Sequence, residues 1–345
     1  MNAERVLGPI VSHLAEWEVP HVELAIHGTQ DAGSIAEALD AFCRRELQCA
    51  PAQTLFYQSS VAAVAGLQLE DGRRVVVKAH QPDWTAERLR EVARLQSIVA
   101  TRLGLAPRVL AGSAPMGNGF ATVEEYVARG IIRNGHEPVV RRALAESLSR
   151  VIECLTASAN DSQLPPGLLT CMSPEALWPR PHSKLFDFEA TSDGAQYIDE
   201  IAVVARARFA PIGRQVIGHV DWRAEHVRFE GDSPSIAFDW DGLAREREPA
   251  LVGSVAHMFC ADWSRDDLAQ APTMDEARLF VAEYEAAAGK RFSSEEAALC
   301  GAAFAYAVAY TSRCGHAAGL DLRNQPGTFH HLLWSTGERL LELCG

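Results

Sequence analysis

The sequence predicts an α+β protein of two lobes, a small antiparallel-sheet lobe followed by a helical one. Three observations predict it. β-branched and alternating residues cluster between Thr54 and Val127, apolar residues recur at helical spacing on either side, and one short acidic hairpin interrupts the helical C-terminal half. A length of 345 residues suits about two domains or lobes. We expect the first lobe over residues 1–127, with a helical extension over 1–50, and the second over 128–345.

The elements follow in order. Ser34 to Leu47 places Ile35, Leu39, Phe42 and Cys43 on one helical face. Thr54–Ser60 and Ala63–Leu69 read as strands, and Asp71-Gly72 is a hairpin turn before a third strand, Arg74–Lys78. A helix over Thr85–Leu103 follows, capped by Asp83 or Thr85, and then short strands near Val109–Ala111 and Ala121–Val127. Beyond Arg129 we expect helices over Pro138–Thr156, Asp193–Ala210, Asp275–Ala288, Glu295–Cys314 and His330–Leu343. A proline-rich loop should cover Gln163–Arg180. The hairpin is Val227–Phe229 and Ser235–Asp239 about Gly231-Asp232. Two lobes joined near Val127 imply a cleft, where small ligands prefer to bind.

Composition narrows the function. The net charge of −13 disfavours a nucleic-acid binder, which needs a basic face, and is compatible with a cationic small-molecule acceptor. Eight cysteines without a Cys-x-x-Cys pair read as reduced thiols, not a zinc site. No secretory signal is visible, and the longest apolar stretch, Ala302–Tyr310, is far short of a membrane span, so a cytoplasmic protein without membrane partners is expected. Oligomeric state is not legible. Gly289-Lys290 lacks the rest of a phosphate loop, and adjacent His330 and His331 point different ways on a helix.

The residues that carry chemistry lie around the hairpin. His219-Val220-Asp221 is followed by Arg223 and His226, and Phe238-Asp239-Trp240-Asp241 closes the hairpin. A hairpin can bring Asp221 and Asp239 to one end. Phosphoryl transfer needs such parts: carboxylates for metal and acceptor hydroxyl, and a cation for the phosphates that stay behind.

This arrangement resembles the aminoglycoside phosphotransferase and choline kinase superfamily, whose catalytic loop reads His-Gly-Asp-x-x-x-x-Asn and is followed by an Ile-Asp-Trp-Gly-Asp segment. The resemblance runs in order from about Thr54 to Gly253 and implies a bilobal protein-kinase-like fold. It implies that Asp221 is the catalytic aspartate and Asp239 a metal ligand. Lys78 would hold the nucleotide phosphates, positioned by Glu91 or, one turn earlier, Glu87. Ser59 and Ser60 would lie in the phosphate-covering turn, and Glu125 and Val127 in the hinge that binds the base. The cofactors implied are ATP or GTP with Mg2+. Two departures stand out. Val220 replaces a glycine, and His226 replaces the metal-binding asparagine; an imidazole suits Mn2+ or a transition ion better than Mg2+, so either His226 binds a metal less tightly, or a water replaces the direct contact, or the second site is lost. Arg223 falls where a guanidinium can span phosphoryl oxygens. Asp241 fits either a metal contact or a simple cap, while His219, Trp222 and Trp240 read as packing residues. The expected activity is phosphorylation of a small-molecule hydroxyl, with an acceptor surface drawn from Asp262, Asp266, Asp267, Glu283 and Glu285. The alternative, resting on His226, is a catalytically weak kinase-like regulator that binds a nucleotide or metabolite.

Overall fold

A computed structural model of the chain describes residues 3–167, 176–181 and 183–344. The chain divides into two compact units: Met1–Ala100 with Ala106–Ala128, and Thr101–Leu105 with Arg129–Gly345.

The first unit opens with three helices, α1 (Ala3–Leu14), α2 (His21–His27) and α3 (Ala32–Leu47). The face predicted on α3 is the buried one: Ile35, Leu39, Phe42 and Cys43 are all buried. Strands β1 (Pro51–Ser59), β2 (Ala62–Leu69) and β3 (Arg74–His80) follow. Helix α4 (Ala86–Leu103) comes next, and β4 (Val109–Met116) and β5 (Gly119–Glu125) complete the unit. The strands form one antiparallel sheet in the order β1-β2-β3-β5-β4. Gly72 turns the β2–β3 hairpin at φ +87°, a left-handed conformation that costs glycine nothing. Val75 and Val77 of the β-branched run pack into a core shared by the sheet with Ile10 of α1, Ile26 of α2 and Leu39 of α3. Thr85, not Asp83, caps α4, its Oγ1 accepting the Arg88 N–H at 3.2 Å.

The second unit begins with α5 (Pro138–Leu155) and α6 (Gln196–Arg206). The predicted helix over Asp193–Ala210 is thus shorter at both ends. Part of the expected loop over Gln163–Arg180 lies outside the described residues. Four strands follow: β6 (Gln215–His219), β7 (Val227–Glu230), β8 (Ser233–Ala237) and β9 (Leu243–Arg247). Helices α7 (Glu248–Ala256), α8 (Met274–Ala287), α9 (Ser294–Ala317) and α10 (Phe329–Thr336) complete the unit. The hairpin β7–β8 is the predicted one. The antiparallel pair β6–β9 and helix α7 were not expected. Five-residue strands are too short to show a period, and α7 is buried on nearly every side, so it has no single apolar stripe to read. Gly253 of α7 lets α9 approach closely: a Cβ there would lie 2.1 Å from the Cys300 carbonyl oxygen. Capping boxes at Thr273/Glu276 and Ser293/Glu296 start α8 and α9. The helix expected over His330–Leu343 breaks at Gly337, where φ is +58°, and continues as a 3-10 turn. Among the described residues no helix is long and apolar enough to cross a membrane.

Candidate active site

The loop between β6 and β7 is held from below by packing. Trp222 is fully buried and its indole N–H donates to the Leu144 carbonyl of α5 at 3.0 Å. Trp240 is 2% exposed and donates to Ala237 at 2.8 Å. His219 lies between these indoles, edge-on to both, and its Nε2–H donates to the Phe238 carbonyl at 3.0 Å. Burial pushes its pKa down to about 4, so the ring is neutral and serves as a tie between the two halves of the site. Backbone bonds complete the frame. Val220 N–H donates to Gly242, Ala224 N–H to Phe259, and Phe238 N–H to His226.

This frame presents three ligating side chains together. Asp221, His226 and Asp239 each offer one atom within 4.8 Å of the others. His226 Nδ1 lies 3.0 Å from the Asp221 backbone carbonyl and 3.6 Å from its Oδ2, while Nε2 lies 3.9 Å from Asp239 Oδ2. A carbonyl only accepts, so Nδ1 is the donor in that bond and Nε2 faces Asp239. Asp239 itself sits at φ +64°, ψ +41°, a left-handed conformation rare outside glycine and tolerated best by Asp and Asn. Strain of this kind collects at functional sites.

Arg223 is woven into the cluster. Its Nη1 bonds Asp221 Oδ1, and its Nε donates to Glu225 Oε2 at 3.0 Å. Burial works against the charge, but Asp221 and then Glu225 outweigh it, and the pKa of Arg223 is raised. Its guanidinium is therefore committed to two carboxylates of its own loop. Glu225 is a contributor that sequence reasoning missed. His257, at the end of α7, is buried, its pKa driven down to about 4 by burial, and its ring bonds the Ser254 carbonyl and, at 3.1 Å, Thr311 Oγ1. Glu225 was legible as an acid two residues from an arginine. His257 carried no mark, because its place depends on how α7 packs.

The remaining sequence-predicted residues lie in the first unit. Lys78 is half-buried on β3, paired in register with Val64 and Thr122. Glu91 is the inward-facing acid of α4, its side chain 10% exposed and accepting both Nε and Nη2 of Arg94 at 2.8 Å; Glu87 is 72% exposed and bound to Arg90. Ser59 ends β1 with its hydroxyl 2.9 Å from His13 Nε2, and Ser60 is exposed in the turn to β2. The Glu125 carboxylate accepts the Arg108 backbone N–H and Nε, and Val127 lies two residues beyond the end of β5.

Of the acids expected to form an acceptor surface in the second unit, Asp266 and Asp267 are exposed and Glu283, Glu285 and Asp262 are partly or fully buried. Asp262 is buried and bonded to Ser264, Asp267 is paired with Arg265, Glu283 with Arg141, and Glu285 accepts the Phe292 N–H. The donors to Asp262, Asp267 and Glu285 lie within seven residues, whereas Arg141 reaches Glu283 across 142 residues, which spacing alone does not reveal.

Residues 65–245 match the profile of the phosphotransferase enzyme family. The chain belongs to that family. It is a phosphotransferase of the kind that acts on hydroxyl groups of small molecules. No curated relative matches it. Among solved structures, this phosphotransferase resembles a spectinomycin phosphotransferase in complex with ADP and spectinomycin. Identity is 13% and the TM-score 0.54, covering 89% of this chain and 97% of that one. It also resembles the macrolide 2'-phosphotransferase of Brachybacterium faecium, at 14% identity and a TM-score of 0.51, covering 88% and 98%. A third likeness is to an amicoumacin kinase in complex with AMP-PNP and Ca2+, at 9% identity and a TM-score of 0.50, covering 86% and 88%. These likenesses establish the kinase-like α+β fold of this phosphotransferase.

Proposed function

We propose that this phosphotransferase moves the γ-phosphoryl group of ATP or GTP to a hydroxyl of a small molecule, with Asp221 orienting that hydroxyl. The observation that carries the proposal is the convergence of Asp221, His226 and Asp239 within 4.8 Å on a rigid, tryptophan-packed frame. The donor set, two carboxylates and an imidazole whose Nε2 faces Asp239, fits a single divalent cation. Asp239 and His226 would hold it, and when bound it would offset the charge of the nucleotide phosphates. An imidazole in the set suits Mn2+ better than Mg2+.

Asp221 keeps 28% of its side chain exposed, so an acceptor hydroxyl can reach its carboxylate. Arg223, anchored in turn by Glu225, fixes the direction of that carboxylate; we assign it a positioning role, which its two ion pairs support better than a direct contact with the phosphoryl group. Lys78 would take the phosphates that are not transferred, oriented by Glu91 on α4, while Ser60 in the β1–β2 turn and the backbone near Glu125 and Val127 would complete nucleotide binding. His226 keeps its ring within reach of Asp239, so its replacement of asparagine does not dismantle the cluster, and this favours an active enzyme over a regulator that only binds.

The test is turnover of ATP and GTP with Mg2+ and with Mn2+ against aminoglycosides, macrolides, amino alcohols and sugars. Asp221→Asn should lower phosphoryl transfer by about 10²–10⁴-fold while nucleotide binding persists. Unchanged turnover in that variant would remove Asp221 from the reaction.

A further inference from the structure

The turn between β1 and β2 contains no glycine. It runs Ser59-Ser60-Val61; the Gln81 amide donates to the Val61 carbonyl at 2.8 Å, and α1 holds the Ser59 end. His13 of α1 is 8% exposed and places Nε2 2.9 Å from Ser59 Oγ. The same nitrogen lies 3.7 Å from Glu23 Oε1 of α2, and Tyr57 Oη donates to that oxygen at 3.3 Å. The His13 and Tyr57 rings meet edge to face at 5.5 Å. Lower on the same strand, Thr54 Oγ1 donates to the Val6 carbonyl at 2.8 Å, so α1 is tied to β1 at two levels. Glu23 is fully buried, and its Oε2 meets no hydrogen-bond partner among the described residues. Burying a carboxylate this way costs stability, and packing alone would be better served by an apolar residue.

We infer that His13, backed by Glu23, is a positioning residue for nucleotide phosphates: it fixes Ser59 and thereby the β1–β2 turn. The inference rests on the assignment of that turn to the phosphates. A flexible turn must be ordered when a ligand binds, and ordering costs affinity; a turn already pinned through Ser59 avoids that cost. The brace joins helices ahead of β1 to that strand, before the residues matched by the family profile, which begin at 65. It also explains why the Ser59 hydroxyl is turned away to α1 while Ser60 stays exposed at the turn.

Binding of ATP against adenosine, and of GTP against guanosine, tests this by calorimetry on the full chain. Losing one hydrogen bond of this kind should raise the Kd of the triphosphate about fivefold to tenfold in both His13→Ala and Ser59→Ala, and leave the nucleoside Kd unchanged. His13→Gln, whose amide can reach Ser59, should restore most of the loss. Equal weakening of nucleotide and nucleoside, or no change in either variant, overturns the brace; Ser59→Ala decides the matter if His13→Ala does not fold. Lys78→Ala separates the two levels of the argument. If it leaves triphosphate binding unchanged, the phosphate assignment of this unit fails and the brace with it; if it weakens binding while the His13 and Ser59 variants do not, only the brace fails.

Discussion

In the loop between β6 and β7, His226 bonds Asp221 five residues away and Arg223 reaches carboxylates two residues to either side, whereas the β1–β2 turn is held by His13 across 46 residues. Both segments are short, and both are assigned to the same reaction. They differ in where their polar support comes from. The loop carries its own polar contacts and needs the tertiary structure chiefly for a floor, the buried indoles of Trp222 and Trp240. The turn has one backbone bond of its own, from Ser60 N–H to Ala62, and otherwise depends on distant residues, Gln81 donating to the Val61 carbonyl and His13 of a separate helix meeting Ser59. A loop of the first kind leaves its mark in a contiguous run of residues; a turn of the second kind does not.

The largest expected effect breaks the floor. Trp222→Ala removes a fully buried indole and its bond to Leu144, and should cost about 3–5 kcal/mol of stability, measured by urea unfolding. A loss below about 1 kcal/mol, well short of that range, would mean the loop stands without its floor.

A second variant asks whether the second unit also relies on a distant polar pin. His136, ahead of α5, bonds Glu276 at the start of α8 across 140 residues, at 2.9 Å. Contact with the Cys260 sulfur and the Glu276 carboxylate pushes His136 up to about 11. Glu276 is drawn down to about 2, burial opposing and the bonds from His136 and Thr273 prevailing. The Glu276 contribution is therefore complete above its ordinary value of 4.5 and is lost as pH falls toward about 2; the His136 contribution is complete below 6.5 and fades as pH rises toward about 11. Glu276→Gln should cost about 1.5 kcal/mol near pH 6, and the difference from wild type should shrink steadily below pH ~4.5 in melting curves. A difference independent of pH would deny the ion pair.

The smallest effect tunes the local contacts. His226→Asn substitutes an amide for the imidazole and should move the ratio of Mg2+-supported to Mn2+-supported turnover severalfold toward magnesium. An unchanged ratio would place His226 outside the metal set and leave it as a tie to the Asp221 backbone.

Much of the fold was legible. The buried face of α3, the Asp71-Gly72 hairpin and the β7–β8 hairpin followed from period and turn chemistry, because those depend on neighbours in the chain. The pair β6–β9 was not, since its strands are short and 24 or more residues apart, separated by the hairpin they flank. The break at Gly337 was hidden because an isolated glycine is tolerated in many helices, and only its φ of +58° shows that this one ends the element.

By itself the sequence determined which candidate groups stand in which order: Lys78 and Glu91 on consecutive elements, then Asp221, His226 and Asp239 about one hairpin. Those constraints are local, and local constraints survive in a linear string. The tertiary structure decided what the groups touch. It turned His226 Nε2 toward Asp239, tied Arg223 to two carboxylates, spent four predicted acceptor acids on nearby donors, and brought His13 to Ser59. A charged side chain takes the nearest good partner that packing offers, and packing is set by apolar contacts between elements far apart in the chain.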